Sequence, residues 1–157
     1  MSYGRSALYL VLKENKGGQM QGGVVKFPLR FTSSCMRARF NPSDGQLYVA
    51  GLKGWQTNAG KPGGFDRVRY TGAKVAMPNA LRIKLNGVEI GFTSKLDKEL
   101  AEDTTSYAIR STNIRWTQGY GSGEQDKKSY EVKNAQLVGD GKTVFLEVPT
   151  IGPAHQM

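Results

Sequence analysis

The 157-residue chain has one cysteine, Cys35, and one histidine, His155. A single cysteine makes no internal disulfide and no CxxCH haem attachment. One cysteine with one histidine also builds no usual zinc site. Long apolar runs are absent: "ALYLVL", Ala7 to Leu12, is the one such run near the start. It falls far short of the ~20 residues of a membrane span, and of an export-signal core. No segment carries a convincing long amphipathic helix. Acidic residues are scarce in the first half, where residues 1–71 hold 11 Lys/Arg against 3 Asp/Glu, while residues 72–157 hold 11 against 10. That asymmetry points to two units in different surroundings, the first suited to nucleic acid or to acidic groups of a larger assembly.

What the chain has is glycine, 20 residues of it, and strand signals. "ALYLVL" reads as a strand buried on both faces. "GGVVKFPLRF" follows, with Pro28 marking an edge position or a strand end. Met36, Ala38 and Phe40 then alternate with Arg37 and Arg39, Asp44-Gly45 supplies a hairpin turn, and "QLYVAGL" returns. "FDRVRYT", Phe65 to Thr71, is a third strand, reached through a glycine-rich loop.

Beyond a break at residues 71–80, Leu81, Ile83 and Leu85 share a face. Asn86-Gly87 reads as a two-residue turn, and Val88, Ile90 and Phe92 come back on the same apolar side. "KLDKELAEDTTSY" reads as a helical turn or loop, "SYAIRSTNIRWT" as a strand and "GYGSGEQDKK" as a flexible polar insertion. A last hairpin around Asp140-Gly141 points Val144, Leu146 and Val148 inward. The expectation is an all-β chain of two domains, residues 1–72 and 76–157.

Chemical motifs are few. In "GLKGWQTNAGKPGG" five residues separate Gly54 from Gly60, Lys61 is followed by Pro62, and a strand follows, so no phosphate-binding P-loop is present. Arg37, Arg39, Arg67 and Arg69 lie among Tyr48, Trp55, Phe65 and Tyr70, a mixture that can grip single-stranded nucleic acid. The plainer reading, which we prefer, has the aromatics in the core and the arginines on the wet face, with nucleic acid not expected. Asp97, Glu99, Glu102 and Asp103 read as a solvated helix face rather than a calcium loop, because the EF-hand spacing is missing. His155 reads as a surface or strand-end residue and Cys35 as a small buried one. Trp116 with Tyr120 forms a candidate sugar-stacking platform, set against the commoner role of a strand tryptophan in a core.

The stretches "QGGVVKFPLRF", "MRARFNPSDGQLYVAGLKGWQTNAGKPGGFDRVRYTG" and "NGVEIGFTSKLD" resemble the C-terminal part of large secreted bacterial β-propeller proteins. Those proteins are similar to sugar dehydrogenases that use pyrroloquinoline quinone, and many carry c-type haem domains. The resemblance implies a partial propeller, the last blade and part of the one before it, followed by a bacterial immunoglobulin-like β-sandwich. It implies a periplasmic or secreted protein, with this chain a non-catalytic C-terminal fragment that completes the propeller and positions it. Quinone and haem c would then belong to the parent protein, with neither held in this chain. The partners implied are the remainder of the parent chain and polysaccharide, with no membrane span. Arg39, Trp55, Gln56 and Arg67 are the candidate ligand-facing residues, and no catalytic residue is carried over. The alternative is a free-standing module that binds carbohydrate or nucleic acid.

Overall fold

A computed structural model describes residues 1–119 and 121–157. The chain is all-β: eleven strands are defined among the described residues, against one five-residue α-helix, α1 (Lys98–Glu102), and one 3₁₀ turn (Thr104–Ser106). No helix among the described residues is long and apolar enough to cross a membrane. Two compact units are formed, one from Met1–Leu12 with Gly23–Val75, the other from Lys13–Gly22 with Ala76–Met157.

Strands β1 (Tyr9–Lys16) and β2 (Gln19–Lys26) form a two-stranded sheet. Gly17 and Gly18 supply the left-handed backbone of its turn, at φ 60° and 84°. β1 is not buried on both faces as its apolar run implied: Leu12 is buried while Val11 is 67% exposed. A two-stranded ribbon covers only one side of each strand. Pro28 stands two residues beyond the end of β2, at a strand end.

The first unit's main sheet is an antiparallel meander, in which β4 (Leu47–Leu52) runs between β3 (Arg37–Phe40) and β5 (Gly63–Val68). Its inner face packs Ala38, Leu47, Val49 and Val68 with Leu8, Phe27, Leu29, Phe31 and Cys35. The β3–β4 turn uses Gly45 at φ 66°, with the Asp44 carboxylate accepting from the Gln46 amide at 2.9 Å.

Gly51 and Gly64 face each other across β4 and β5 because a chain segment crosses that spot. A Cβ on Gly51 would overlap the Ser34 carbonyl, and one on Gly64 would lie 2.9 Å from the Ser33 amide nitrogen. The crossing segment is tied down by its hydroxyls: Ser33 donates to the Lys61 carbonyl at 2.9 Å, and Ser34 to the Leu52 carbonyl. Both serines are buried, and these bonds offset their loss of water. The glycine-rich stretch from Gly51 to Tyr70 therefore holds the end of β4, the β4–β5 connection and β5 itself, with Gly51 and Gly64 on the strands clearing a path for the backbone.

In the second unit a four-stranded antiparallel sheet has the order β10 (Asn134–Val138), β11 (Thr143–Glu147), β7 (Gly87–Phe92), β6 (Pro78–Lys84). The unit also holds a two-stranded sheet, β8 (Ile109–Ile114) with β9 (Glu124–Tyr130). Val144, Leu146 and Val148 are 0, 2 and 0% exposed, as their alternation predicts. Ile90, Phe92, Tyr107, Ile109 and Tyr130 pack around them. The Tyr107 hydroxyl reaches the Ala101 carbonyl at 2.8 Å, and burial pushes its acidity down, the Asp103 charge adding to the effect.

Two expectations are corrected here. Lys84 pairs with Gly87, so the β6–β7 turn is Leu85-Asn86, not Asn86-Gly87, and Leu85 stands 98% exposed at its tip. The apolar face survives because both registers keep Ile83 and Val88 on one side. Gly87 is required instead by close approach, since a Cβ there would run into the Leu146 carbonyl of β11. The "GYGSGEQDKK" stretch, read as a flexible insertion, contributes the first residues of β9.

Candidate functional site

In the first unit the alternation of β3 turns Arg37 and Arg39 away from the core that holds Ala38. Register then sets their neighbours: Arg39, Tyr48 and Arg67 share one rung across the three strands, and Arg37, Ala50 and Phe65 share the next. The Tyr48 and Phe65 rings stack, with centroids 5.6 Å apart and planes 26° apart. Phe65 is 71% exposed, so the stack stands in water. The outer face of the meander is therefore an aromatic pair flanked by guanidinium groups.

Among the described residues no carboxylate lies within ion-pair distance of Arg37, Arg39 or Arg67. Arg37 and Arg39 donate instead to the carbonyls of the residues before them, at 3.0 and 2.9 Å. One carboxylate borders the face. Asp44 accepts from the Tyr48 hydroxyl at 2.8 Å, and it titrates below the usual carboxylate range. The Gln46 amide bond is the main cause, with Tyr48, Asn41 and the Arg67 charge adding to it. On the inner face of β5, Asp66 is occupied by Thr32, whose amide and hydroxyl donate to it at 3.0 and 2.6 Å. A hollow of about 200 Å³ beside β5 brings Arg30 and Arg69 to the same neighbourhood as Arg67.

The expectation that Tyr48 and Phe65 build the core is overturned. The inner positions of β4 and β5 are taken by Val49, Gly51, Gly64, Asp66 and Val68, and the aromatics fall on the other side. Of the candidate ligand-facing residues, Arg39 and Arg67 meet across Tyr48. Trp55 and Gln56 lie on the loop at the opposite end of β4. Trp55 is 73% exposed, and Gln56 has a left-handed backbone at φ 50°. That loop is held by the chain's beginning: the Gly54 amide donates to the Tyr3 hydroxyl at 2.9 Å, and Thr57 Oγ1 to the Tyr3 carbonyl at 3.0 Å.

In the second unit the β8–β9 pairing shifts register between Ser111 and Asn113, and the C-terminal tail folds back onto β8 there. Asn113 Oδ1 accepts from the His155 amide at 3.2 Å, and its Nδ2 donates to Asp126 at 3.2 Å. The Ile114 amide donates to His155 Nδ1 at 2.9 Å. These residues, with Arg115 and Gln125, line an open hollow of about 460 Å³. Trp116 follows directly and is 91% exposed, so it is no part of a core. Its proposed companion Tyr120 lies outside the described residues. Sequence reasoning did not single out Asn113, Arg115, Gln125 or Asp126. They meet only through strand register and a tail contact 42 residues away, which no local pattern announces.

Several other titratable groups have structural roles. Cys35 is buried in the first unit's core, and burial pushes its thiol up, with the Asp66 charge acting the same way. It is therefore protonated and a poor nucleophile at neutral pH. Asp97 caps α1 through the Leu100 amide at 3.0 Å, Asp103 caps the 3₁₀ turn through Thr105, and Glu102 accepts from the Leu137 amide at 3.3 Å. Among the described residues no three His, Cys, Asp or Glu side chains converge as metal ligands. No family model, curated protein or solved structure matches the chain, so the likeness seen in residues such as Phe40–Thr57 rests on those residues alone.

Proposed function

We propose that the chain is a non-catalytic structural module that completes a larger β-propeller, of the kind found in quinone-dependent sugar dehydrogenase-like proteins. Its second unit would act as an immunoglobulin-like positioning domain. The observation that carries this reading is the outer face of β3–β5, where Tyr48, Phe65 and Leu52 are presented on a sheet already packed on its other side. Blades of a propeller stack around a central axis, so a blade offers both faces to neighbours. The three-stranded meander β3–β4–β5 would make up three strands of a four-stranded blade. With Arg37, Arg39 and Arg67 on that face, the neighbouring surface must bring carboxylates and room for a pair of rings. Quinone chemistry would reside elsewhere in such a protein, which would be periplasmic or secreted. Haem c would too, because buried Cys35 has no CxxCH context.

The test is nitration of Tyr48, mapped by mass spectrometry, in this chain and in the product of its full chromosomal reading frame. Protection of Tyr48 in a longer product containing further blade repeats is the expected result. A frame without such repeats, or equal nitration of Tyr48 in both proteins, overturns the reading.

A second reading is favoured by the unpaired arginines: a free-standing module that binds a polyanionic strand, with bases stacking on Tyr48–Phe65. It requires affinity for oligo-dT that falls steeply with salt and with Arg39→Ala or Arg67→Ala. Weak, salt-insensitive binding would point to sugar instead.

A further inference from the structure

The hollow between β8, β9 and the C-terminal tail has a ligand chemistry of its own, independent of what covers β3–β5. Its charges cancel. Arg115 brings a guanidinium without an ion pair among the described residues, and Asp126 brings a carboxylate on the facing strand. A phosphate or sulfate would meet Asp126, and a metal ion would meet Arg115, so either kind of ion is opposed by one wall. Asn113 and Gln125 add amides, and His155 adds a ring whose Nδ1 already accepts a hydrogen bond. With Nδ1 so occupied the neutral ring carries its proton on Nε2, a donor. The lining thus mixes donors and acceptors with no net charge. That suits a neutral ligand bearing many hydroxyls, each both donor and acceptor.

The second feature is Trp116, whose indole is placed in solvent immediately after Arg115. An exposed tryptophan forgoes about 2 kcal/mol or more of burial that a core position would supply. One residue along the chain from Arg115 of the hollow's wall, it offers what a pyranose ring needs: a flat apolar surface for the C–H face while planar side chains take the hydroxyls. The hollow's size falls within the range of about 300–1,000 Å³ usual for small-ligand sites. Its framework is held before any ligand arrives. Asn113 is fixed by Asp126 and by the His155 amide, and the tail is fixed by the Thr112–Gln156 bridge at 2.9 and 3.1 Å.

We infer that Asn113, Arg115, Gln125, Asp126 and His155 form a subsite for a neutral oligosaccharide, with Trp116 as its stacking plate. Open walls and one aromatic plate set a weak affinity, in about the millimolar range. The experiment is titration of the ¹⁵N-labelled chain with maltohexaose, cellohexaose and mannohexaose. The readouts are the Trp116 indole N–H and the Asn113 and Gln125 side-chain amides. At least one sugar is expected to shift all three, to leave the Trp55 indole unmoved, and to lose affinity about tenfold in Trp116→Ala and in Gln125→Ala. Trp116 and Gln125 are both exposed, and an unchanged melting temperature confirms that each variant folds. No response to any of the three at about 10 mM overturns the subsite. So does binding that persists in Trp116→Ala, or a response to phosphate or calcium with none to sugar.

Discussion

Tyr48 stacks on Phe65 at 5.6 Å on the face of the meander that carries Arg39 and Arg67, away from the core beneath it. An aromatic pair is worth about 0.5–1.5 kcal/mol beyond its area. Phe65 is largely exposed and has little more than this to lose within the chain. Phe65→Ala should therefore lower the stability of the isolated protein by no more than about 1.5 kcal/mol in urea denaturation. A loss of about 3 kcal/mol, the usual cost of emptying a core position, would place Phe65 in a core after all.

The paired glycines make a sharper prediction. Gly51→Ala places a methyl group into the Ser34 carbonyl, where the obstacle is backbone and cannot swing aside. The cost expected is about 3 kcal/mol, at the upper end for overpacking. Gly45→Ala is the control: nothing lies within 4 Å of its added carbon, and only the left-handed φ of 66° is strained. About 1 kcal/mol is expected there. Urea midpoints of the two variants should differ in that order, and equal midpoints would count against the crossing of Thr32–Ser34 over the sheet.

Much of the fold was legible because strand alternation is a two-residue rule. Val144, Leu146 and Val148 read inward from sequence, and Asp140-Gly141 marked their turn, where Gly141 takes φ 81°. Arg37 and Arg39 read outward for the same reason. The sidedness of Tyr48 and Phe65 did not, because an aromatic residue on a strand fits a core or an interface equally well. Only the three-strand register, with Ser33 and Ser34 already occupying the inner side at Gly64 and Gly51, sends the rings outward. Asn86-Gly87 misled because a glycine needed for close approach looks like one needed for a turn. The hollow at Asn113 was invisible in sequence, since its walls come from two strands and a distant tail.

Leu146 and Leu85 separate core from turn tip in the second unit. Leu146 is 2% exposed within the cluster of Val144 and Val148, so Leu146→Ala should cost about 2–5 kcal/mol. Leu85→Ala should stay within about 0.5 kcal/mol, because Leu85 is 98% exposed. Thermal unfolding followed by circular dichroism distinguishes the two. A large loss in Leu85→Ala would restore the Asn86-Gly87 turn, which puts Leu85 on the strand.

Acid should weaken the same sheet through Glu89. Partial burial tends to raise its carboxyl, but hydrogen bonds from Arg82 at 2.6 Å and from Lys84, with their charges, outweigh this and hold it below the usual carboxylate range. A carboxyl whose folded value is depressed contributes stability above its unfolded value, about 4.3, and loses it as pH falls through the folded value. The melting temperature of the chain should accordingly be level in this contribution near neutrality and fall below about pH 4. Glu89→Gln keeps the shape and removes the charge, so its melting temperature should start lower at pH 7 and converge with the unaltered chain on acidification. Parallel curves at every pH would show that Arg82 and Lys84 hold Glu89 without stabilising the fold.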